Sequence, residues 1–317
     1  MNLPYEPALE TAQPGRSCPL GYRYGAASLA RPGSLSVDTL WVAGGLYGNR
    51  HALDRLLELY AAERGSKALV FNGDFHWFDA DEQDFASVNR AVLAERATRG
   101  NVETELADPH ARAGCGCGYP DWVGDEEVAR SNRIIERLRA AARRLPGELA
   151  RLRELPMTLV AQVAGERVAV VHGDAESLAG WNFSQEMLAT PAGLQRAEQA
   201  FRDAQVRVFA SSHSCLPVMQ RIGDALIANN GAAGMPNFSG AGYGLATRLS
   251  HAPDPRAIYG TRLGKLFVDA VAIDYDQAGW RKRFLAQWPA GSDAHRSYFT
   301  RIVEGPRYER HQVVRCA

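Results

Sequence analysis

Read as a run of apolar and polar positions, the chain alternates short buried strands with amphipathic helices from residue 36 onward. Thr39–Ala43 (TLWVA) is a short apolar run stopped by Gly44 and Gly45. Asn49 then opens a stretch in which Leu53, Leu56, Leu57 and Tyr60 recur at helical spacing. Lys67–Phe71 (KALVF) predicts a second buried strand running into Asn72-Gly73-Asp74. Helical periodicity returns over 85–97 and from Asp125 to Leu152, and the loop DPHARAGCGCGYPDWV lies between them. Met157–Val163 and Val168–Val171 predict adjacent strands around a turn at residues 164–167, ending at His172-Gly173-Asp174. Residues 190–204 predict a helix, and Val206–Ala210 a strand running into SSHSC. Pro217–Ile222 with Ala225–Ala228 predict a strand pair, and Gly244–Ser250 and Leu266–Ile273 half-buried antiparallel strands. Gln277–Gln287 is predicted as the last helix.

Strands with intervening helices come first and antiparallel strands second, without a linker-like break. The expected fold is therefore α/β with mixed sheets, one domain over 36–317. Residues 1–35, rich in Pro, Gly and Ser, are expected to form an irregular arm, with Cys18-Pro19-Leu20 a candidate lid. The 317 residues balance 36 basic against 36 acidic side chains, so no global field draws the chain to nucleic acid or an anionic membrane. The arginines from Arg130 to Arg153 alternate with Glu and Leu and are expected on a solvated helix face. No apolar run approaches the roughly 20 residues a spanning helix needs, and no leader-like segment opens the chain, so a cytoplasmic location is expected. Five cysteines, an odd number, argue for free thiols or metal ligands over a disulfide framework.

The chemistry collects at strand ends, where open α/β sheets place it. Asp74, Asn101, His172 and His213 each follow a predicted strand or sit beside a glycine, and such mixed O and N donors suit Mn²⁺, Fe²⁺ or Zn²⁺. The motifs GGLYGN (44–49), NGDFHWFD (72–79), RGNVE (99–103), VVHGD (170–174), SSHSC (211–215) and NNGAAGMP (229–236) stand in an order that resembles the calcineurin-like metallophosphoesterases over residues 39–275.

The resemblance implies a four-layer α-β-β-α sandwich with a two-metal site that clamps a phosphate and activates water. It implies that Asp74, Asn101, His172 and His213 hold the second metal, with Asp74, His172 and His213 serving catalysis and Asn101, Asn230 and Gly231 facing substrate. The first metal's own positions depart from the pattern: Gly45 stands where the family has Asp, Tyr47 where it has His, and Cys215 where its last motif has a second His. Val102 stands where the family's commonest catalytic acid would be, so leaving-group protonation would need another residue or a leaving group that needs little help. One divalent ion (Mn, Fe or Zn) is expected. A second would use Asp74 with Tyr47, His76 or Cys215 as substitute ligands. Asp174 and Asp79 are candidate partners for neighbouring histidines, set against ordinary turn roles.

Three readings follow. The first is a metal-dependent hydrolase of a small phosphate ester, phosphatase or phosphodiesterase. The second is a catalytically silent relative that binds a phosphorylated ligand or partner. The third is a thiol-dependent metal or redox function centred on Cys115, Cys117 and Cys215.

Overall fold

The computed structural model describes residues 13–316. In chain order the elements are β1 (Leu35–Val37), β2 (Thr39–Ala43), α1 (Arg50–Ala61), β3 (Lys67–Asn72), α2 (Glu82–Val92), β4 (Arg96–Thr98), α3 (Asn101–Ala107), α4 (Asp125–Ala142) and α5 (Pro146–Arg153). There follow β5 (Thr158–Val163), β6 (Glu166–Val171), α6 (Pro191–Ala204), β7 (Val208–Ser211), β8 (Pro217–Ile222) and β9 (Ala225–Asn230). The chain ends with β10 (Gly244–Ser250), β11 (Ala257–Leu263), β12 (Leu266–Ile273), α7 (Gln277–Gln287), α8 (Asp293–Glu304) and β13 (Val314–Cys316).

The strands form two mixed sheets, ordered β11-β12-β10-β2-β3-β4 and β1-β5-β6-β7-β9-β8-β13. Strands β2, β3 and β4 run parallel, and β10 pairs antiparallel with β2 and β12. In the second sheet β6, β7 and β9 run parallel, with β5 and β8 antiparallel beside them. Successive side chains of a strand point to opposite faces, and here both faces are buried. Leu40 and Val42 of β2, Val70 of β3, Val168 and Val170 of β6 and Val208 of β7 meet between the sheets. The alternate residues Trp41, Leu69 and Phe71 face Leu53 and Leu56 of α1, Phe85 and Val88 of α2 and Ile134 and Leu138 of α4. Across the molecule, Ala169, Val171 and Phe209 face Ala197, Ala200 and Phe201 of α6. The result is the four-layer α-β-β-α sandwich.

Local chemistry sets the helix starts. Asn49 caps α1 by accepting from the Ala52 amide, and Asp81 caps α2 by accepting from Gln83 and Asp84. The predicted helix over 125–152 is two helices, because Pro146 lacks an amide hydrogen and opens α5 at its first position. The helical pattern over 85–97 ends at Val92, and Arg96–Thr98 becomes the edge strand beside β3. Helix α4 turns Ile134, Ile135 and Leu138 inward and Arg133 and Arg137 outward, as its spacing predicts, while Arg139 is buried against Glu105.

The part of the arm described here, residues 13–34, is irregular apart from two short 3-10 turns. It is pinned by Leu29 and Ala26 in the core beside α6 and by Tyr22, whose hydroxyl donates to Glu105 at 2.6 Å. Residues 1–12 lie outside the described residues. Leu20 is 79% exposed, and Pro19 lies beside Thr104 and Asp108, so the 18–20 segment does not close over the cleft described below. No helix among the described residues is long and apolar enough to cross a membrane.

Candidate metal centre

Four predicted donors meet where the C-terminal ends of both sheets converge. Asp74 follows β3 in the left-handed region (φ 51°), a conformation aspartate tolerates better than most residues. Glu103 holds that turn. Fully buried, it accepts from the amides of Asp74 (2.8 Å), Phe75 (3.0 Å) and Gly100 (2.8 Å). Asn101 opens α3, His172 directly follows β6, and His213 follows β7. From His172 Nε2 the distances are 3.3 Å to Asp74 Oδ2, 3.2 Å to Asn101 Oδ1 and 3.2 Å to His213 Nδ1. Adjacent donors around an ion bound at about 2.0–2.1 Å stand roughly this far apart.

The imidazole tautomers are fixed from behind. His172 Nδ1 faces the Asn72 carbonyl at 2.8 Å and His213 Nε2 faces the Cys117 carbonyl at 2.9 Å. A carbonyl only accepts, so those nitrogens carry the protons and the opposite lone pairs point at one another. The Asn101 amide donates to the Cys115 carbonyl at 2.9 Å, which turns its oxygen inward. Four electron-pair donors thus face one point, and a positive charge belongs between them. Burial works to lower the His172 imidazole, but the Asp74 carboxylate beside it holds it above its usual value. Burial and the neighbouring His172 push His213 down to about 3. For Asp74, burial acts to raise the carboxyl and the His172 imidazole outweighs it, leaving it below the usual range. The donor set fits a divalent transition ion, and Asp74, His172 and His213 place their ligating atoms within 4.8 Å of one another.

The candidate substitute ligands lie elsewhere in role. His76 is fully buried, with Nδ1 2.7 Å from Asp79 and Nε2 3.3 Å from Asn89, and its ring stacks on Phe85. Both nitrogens are used, so it supports the 75–79 loop and does not join the cluster. Tyr47 and Cys215 do approach, with Tyr47 Oη 2.8 Å from Cys215 Sγ and both backbones at positive φ (56° and 61°). Burial and the facing group raise the Tyr47 phenol, and burial raises the Cys215 thiol, so both stay neutral. A Cβ added to Gly45 would stand 2.9 Å from the Tyr47 ring and hydroxyl, so the phenol occupies the space into which a side chain at 45 would project.

Asn230 and Gly231 do not face the cleft. The Asn230 amide accepts from Gly44 N and donates to the Gly44 and Leu245 carbonyls, clasping the two sheets from inside. Asp174 accepts from Glu176 (2.9 Å), Ser177 (3.0 Å) and Asn182 (3.1 Å), which makes it the anchor of the 174–182 loop and not the partner of His172. Cys115 and Cys117 are joined in a disulfide, against the expectation of free thiols, which holds at Cys18, Cys215 and Cys316. Gly114, Gly116 and Gly118 all take positive φ and let this short loop double back.

The cleft above the donors is lined by Trp77, Val102, Tyr119, Trp181, Tyr298 and Cys117 besides Tyr47, Cys215 and the donors Asp74, Asn101 and His213. Among the described residues none of its lining side chains is Lys or Arg. Sequence reasoning missed the aromatic lining, because its members come from four separate segments. It also missed the anchoring role of Glu103, whose signal was its place three residues after Gly100 at the start of a helix.

No known family model matches the sequence, and no curated protein matches it. Solved structures do. A hypothetical protein from Pyrococcus horikoshii superposes with a TM-score of 0.59 at 15% identity, covering 85% of this chain and 99% of its own. A metallophosphoesterase from Sphaerobacter thermophilus superposes with a TM-score of 0.52 at 16% identity, covering 85% of this chain and all of its own (100%). The fold, two mixed sheets flanked by helices, is that of the calcineurin-like metallophosphoesterases.

Proposed function

We propose that the chain is a metal-dependent phosphoric ester hydrolase that works with one divalent transition ion held by Asp74, Asn101, His172 and His213. The observation that carries this reading is the convergence of four donors, two of them imidazoles with tautomers set by carbonyls behind them. Bound there, the ion would supply a Lewis acid for the phosphoryl oxygen and lower the pKa of a coordinated water. The protein's own part is positional. Val102 N donates to Asp74 Oδ1 at 3.1 Å, leaving Oδ2 for the site. Glu103 fixes the Asp74 turn, and the Cys115 and Cys117 carbonyls fix Asn101 and His213. No Lys or Arg side chain lines the cleft, and the nearby Arg301 guanidinium is held by the Cys215 carbonyl, so substrate charge would be met chiefly at the ion.

The first-metal position is closed in this reading: Gly45 brings no carboxylate, and the neutral pair Tyr47 and Cys215 fills the space. The same feature favours the second reading, a silent relative that binds a phosphorylated ligand. Elemental analysis of anaerobically purified protein, beside hydrolysis of a generic aryl phosphate and a phosphodiester, separates them. One ion per chain is expected, lost with Asp74→Ala and retained with Cys215→Ser, with hydrolysis lost in His172→Ala. An ion without turnover across Mn²⁺, Fe²⁺, Co²⁺, Ni²⁺ and Zn²⁺ would leave the binding protein. No ion after reconstitution would overturn the metalloenzyme reading and leave a binding module.

A further inference from the structure

Resting on the hydrolase reading, we infer that the substrate's leaving group is an aryl group, seated against Trp181. The cleft presents two kinds of surface. The donors Asp74, Asn101 and His213 line it together with the rings of Trp77, Tyr119, Trp181 and Tyr298. Trp181 is set at the junction, 5.2 Å from the His213 ring and close to perpendicular to it. Its indole N–H donates to the Cys117 carbonyl at 3.0 Å, the same oxygen that holds His213, and Asp174 fixes the loop through Asn182. With that donor engaged, the indole offers the cleft only its apolar surface. Tyr119 lies 6.0 Å and Trp122 6.4 Å from it, and Trp122 is 54% exposed, so aromatic surface continues from Trp181 toward solvent. Offset or edge contacts of this kind favour a planar aromatic guest.

Two further observations choose among aromatic guests. The lining has no Lys or Arg, and the nearby Arg301 guanidinium is engaged by the Cys215 and Pro236 carbonyls, which disfavours nucleoside polyphosphates and nucleic acid. The protic groups of the lining are poor acids. Burial raises Tyr119 well above a phenol's usual value and Tyr298 to about 12, and the apolar Val102 lines the cleft at the start of α3. A leaving oxygen therefore departs without a strong proton donor. A phenol, with an acidity near 10, leaves as its anion far more readily than an alcohol.

The reaction balances without an oxidant or reductant. A water oxygen adds to phosphorus, the P–O(aryl) bond breaks with its electron pair on the aryl oxygen, and the proton released by the water is taken up by that phenolate or by solvent. One water is consumed, and the phosphate product and a phenol are released.

The test compares phenylphosphonate with methylphosphonate, two ligands with no cleavable ester, binding to Mn²⁺-loaded full-length protein by calorimetry and tryptophan fluorescence. Wild type is expected to prefer the phenyl ligand by about tenfold, the scale of one good aromatic contact. Trp181→Ala should bring the ratio toward one, and Trp181→Phe should keep most of it. Equal affinities in wild type, or a preference that survives Trp181→Ala, would overturn the inference. Hydrolysis of a phenyl phosphate series with ring substituents, run alongside, keeps the two readings apart. A phenyl preference without turnover sinks the hydrolase and keeps the aryl pocket, whereas turnover without the preference does the reverse.

Discussion

In the proposed one-ion reading, the missing side chain at Gly45 limits how many ions the site can take. The residue sits at φ 67°, and the Tyr47 ring stands 2.9 Å from where its Cβ would be. Gly45→Asp alone should therefore destabilise the protein by about 1–3 kcal/mol through backbone strain and the clash. Adding Tyr47→His should recover part of that loss, and adding Cys215→His as well should raise the ion count from one per chain to two. Chemical denaturation and elemental analysis of the series check both. The sequence displayed these three departures openly, because each falls inside a motif whose neighbours keep their pattern. It did not display that Tyr47 and Cys215 bond to each other, since 168 residues separate them. Nor did it show that His76 turns away to Asp79 and Asn89, because a histidine two residues beyond Asp74 reads the same in either role.

Among elements, the short loop between α3 and α4 has the largest chemical part. Its Cys115 and Cys117 carbonyls bond Asn101 and His213, two of the four donors, and the disulfide braces the loop that presents them. Replacing both cysteines by Ala should weaken ion binding by about 10–100-fold, the usual scale for losing groups that orient ligands, and a dithiol reductant should act in the same direction on wild type. Competition with a chromogenic chelator measures it. The alternation of glycine and cysteine over 114–118 was the signal for this turn, and counting cysteines over the whole chain hid it. The edge elements were also hard to read. β11 exposes alternate residues and carries Gly260 and Thr261 at an outer edge, and α8 buries only Ala294 and Ile302. The central strands and α1, buried by regular patterns, were legible within a few residues.

A second element-scale prediction concerns the polar cluster where the Arg248 guanidinium of β10 meets Glu63 at 3.1 Å and Asp254 at 3.5 Å. Burial works to raise the Asp254 carboxyl, but its bonds to Arg256 and the charge of Arg248 outweigh that and hold it below the usual aspartate range. Its contribution is therefore fully present above that range and is lost as pH falls through the lower folded value. Asp254→Asn should cost about 1 kcal/mol at neutral pH, the exposed Arg256 end being screened by water. Urea titrations of both proteins should show that gap closing only in strong acid.

For the whole molecule, the important fact is that the donors come from both sheets. Asp74 follows a strand of the six-stranded sheet, and His172 and His213 follow strands of the seven-stranded one. An ion bound there ties the two layers across the buried face they share. At a free concentration one hundred times its Kd it should stabilise the fold by about 2.7 kcal/mol, a rise of several degrees in Tm. Calorimetry with Mn²⁺ should show this in wild type and not in His213→Ala.

The same geometry bears on the order in which the chain acquires its structure. No intermediate with one sheet formed and the other still loose holds enough donors to capture the ion, so the ion has nothing to bind until the layers have closed. An ion bound there would therefore act as a latch on the finished molecule. It would lengthen the native lifetime by slowing escape over the unfolding barrier and leave the pace of the forward search almost untouched.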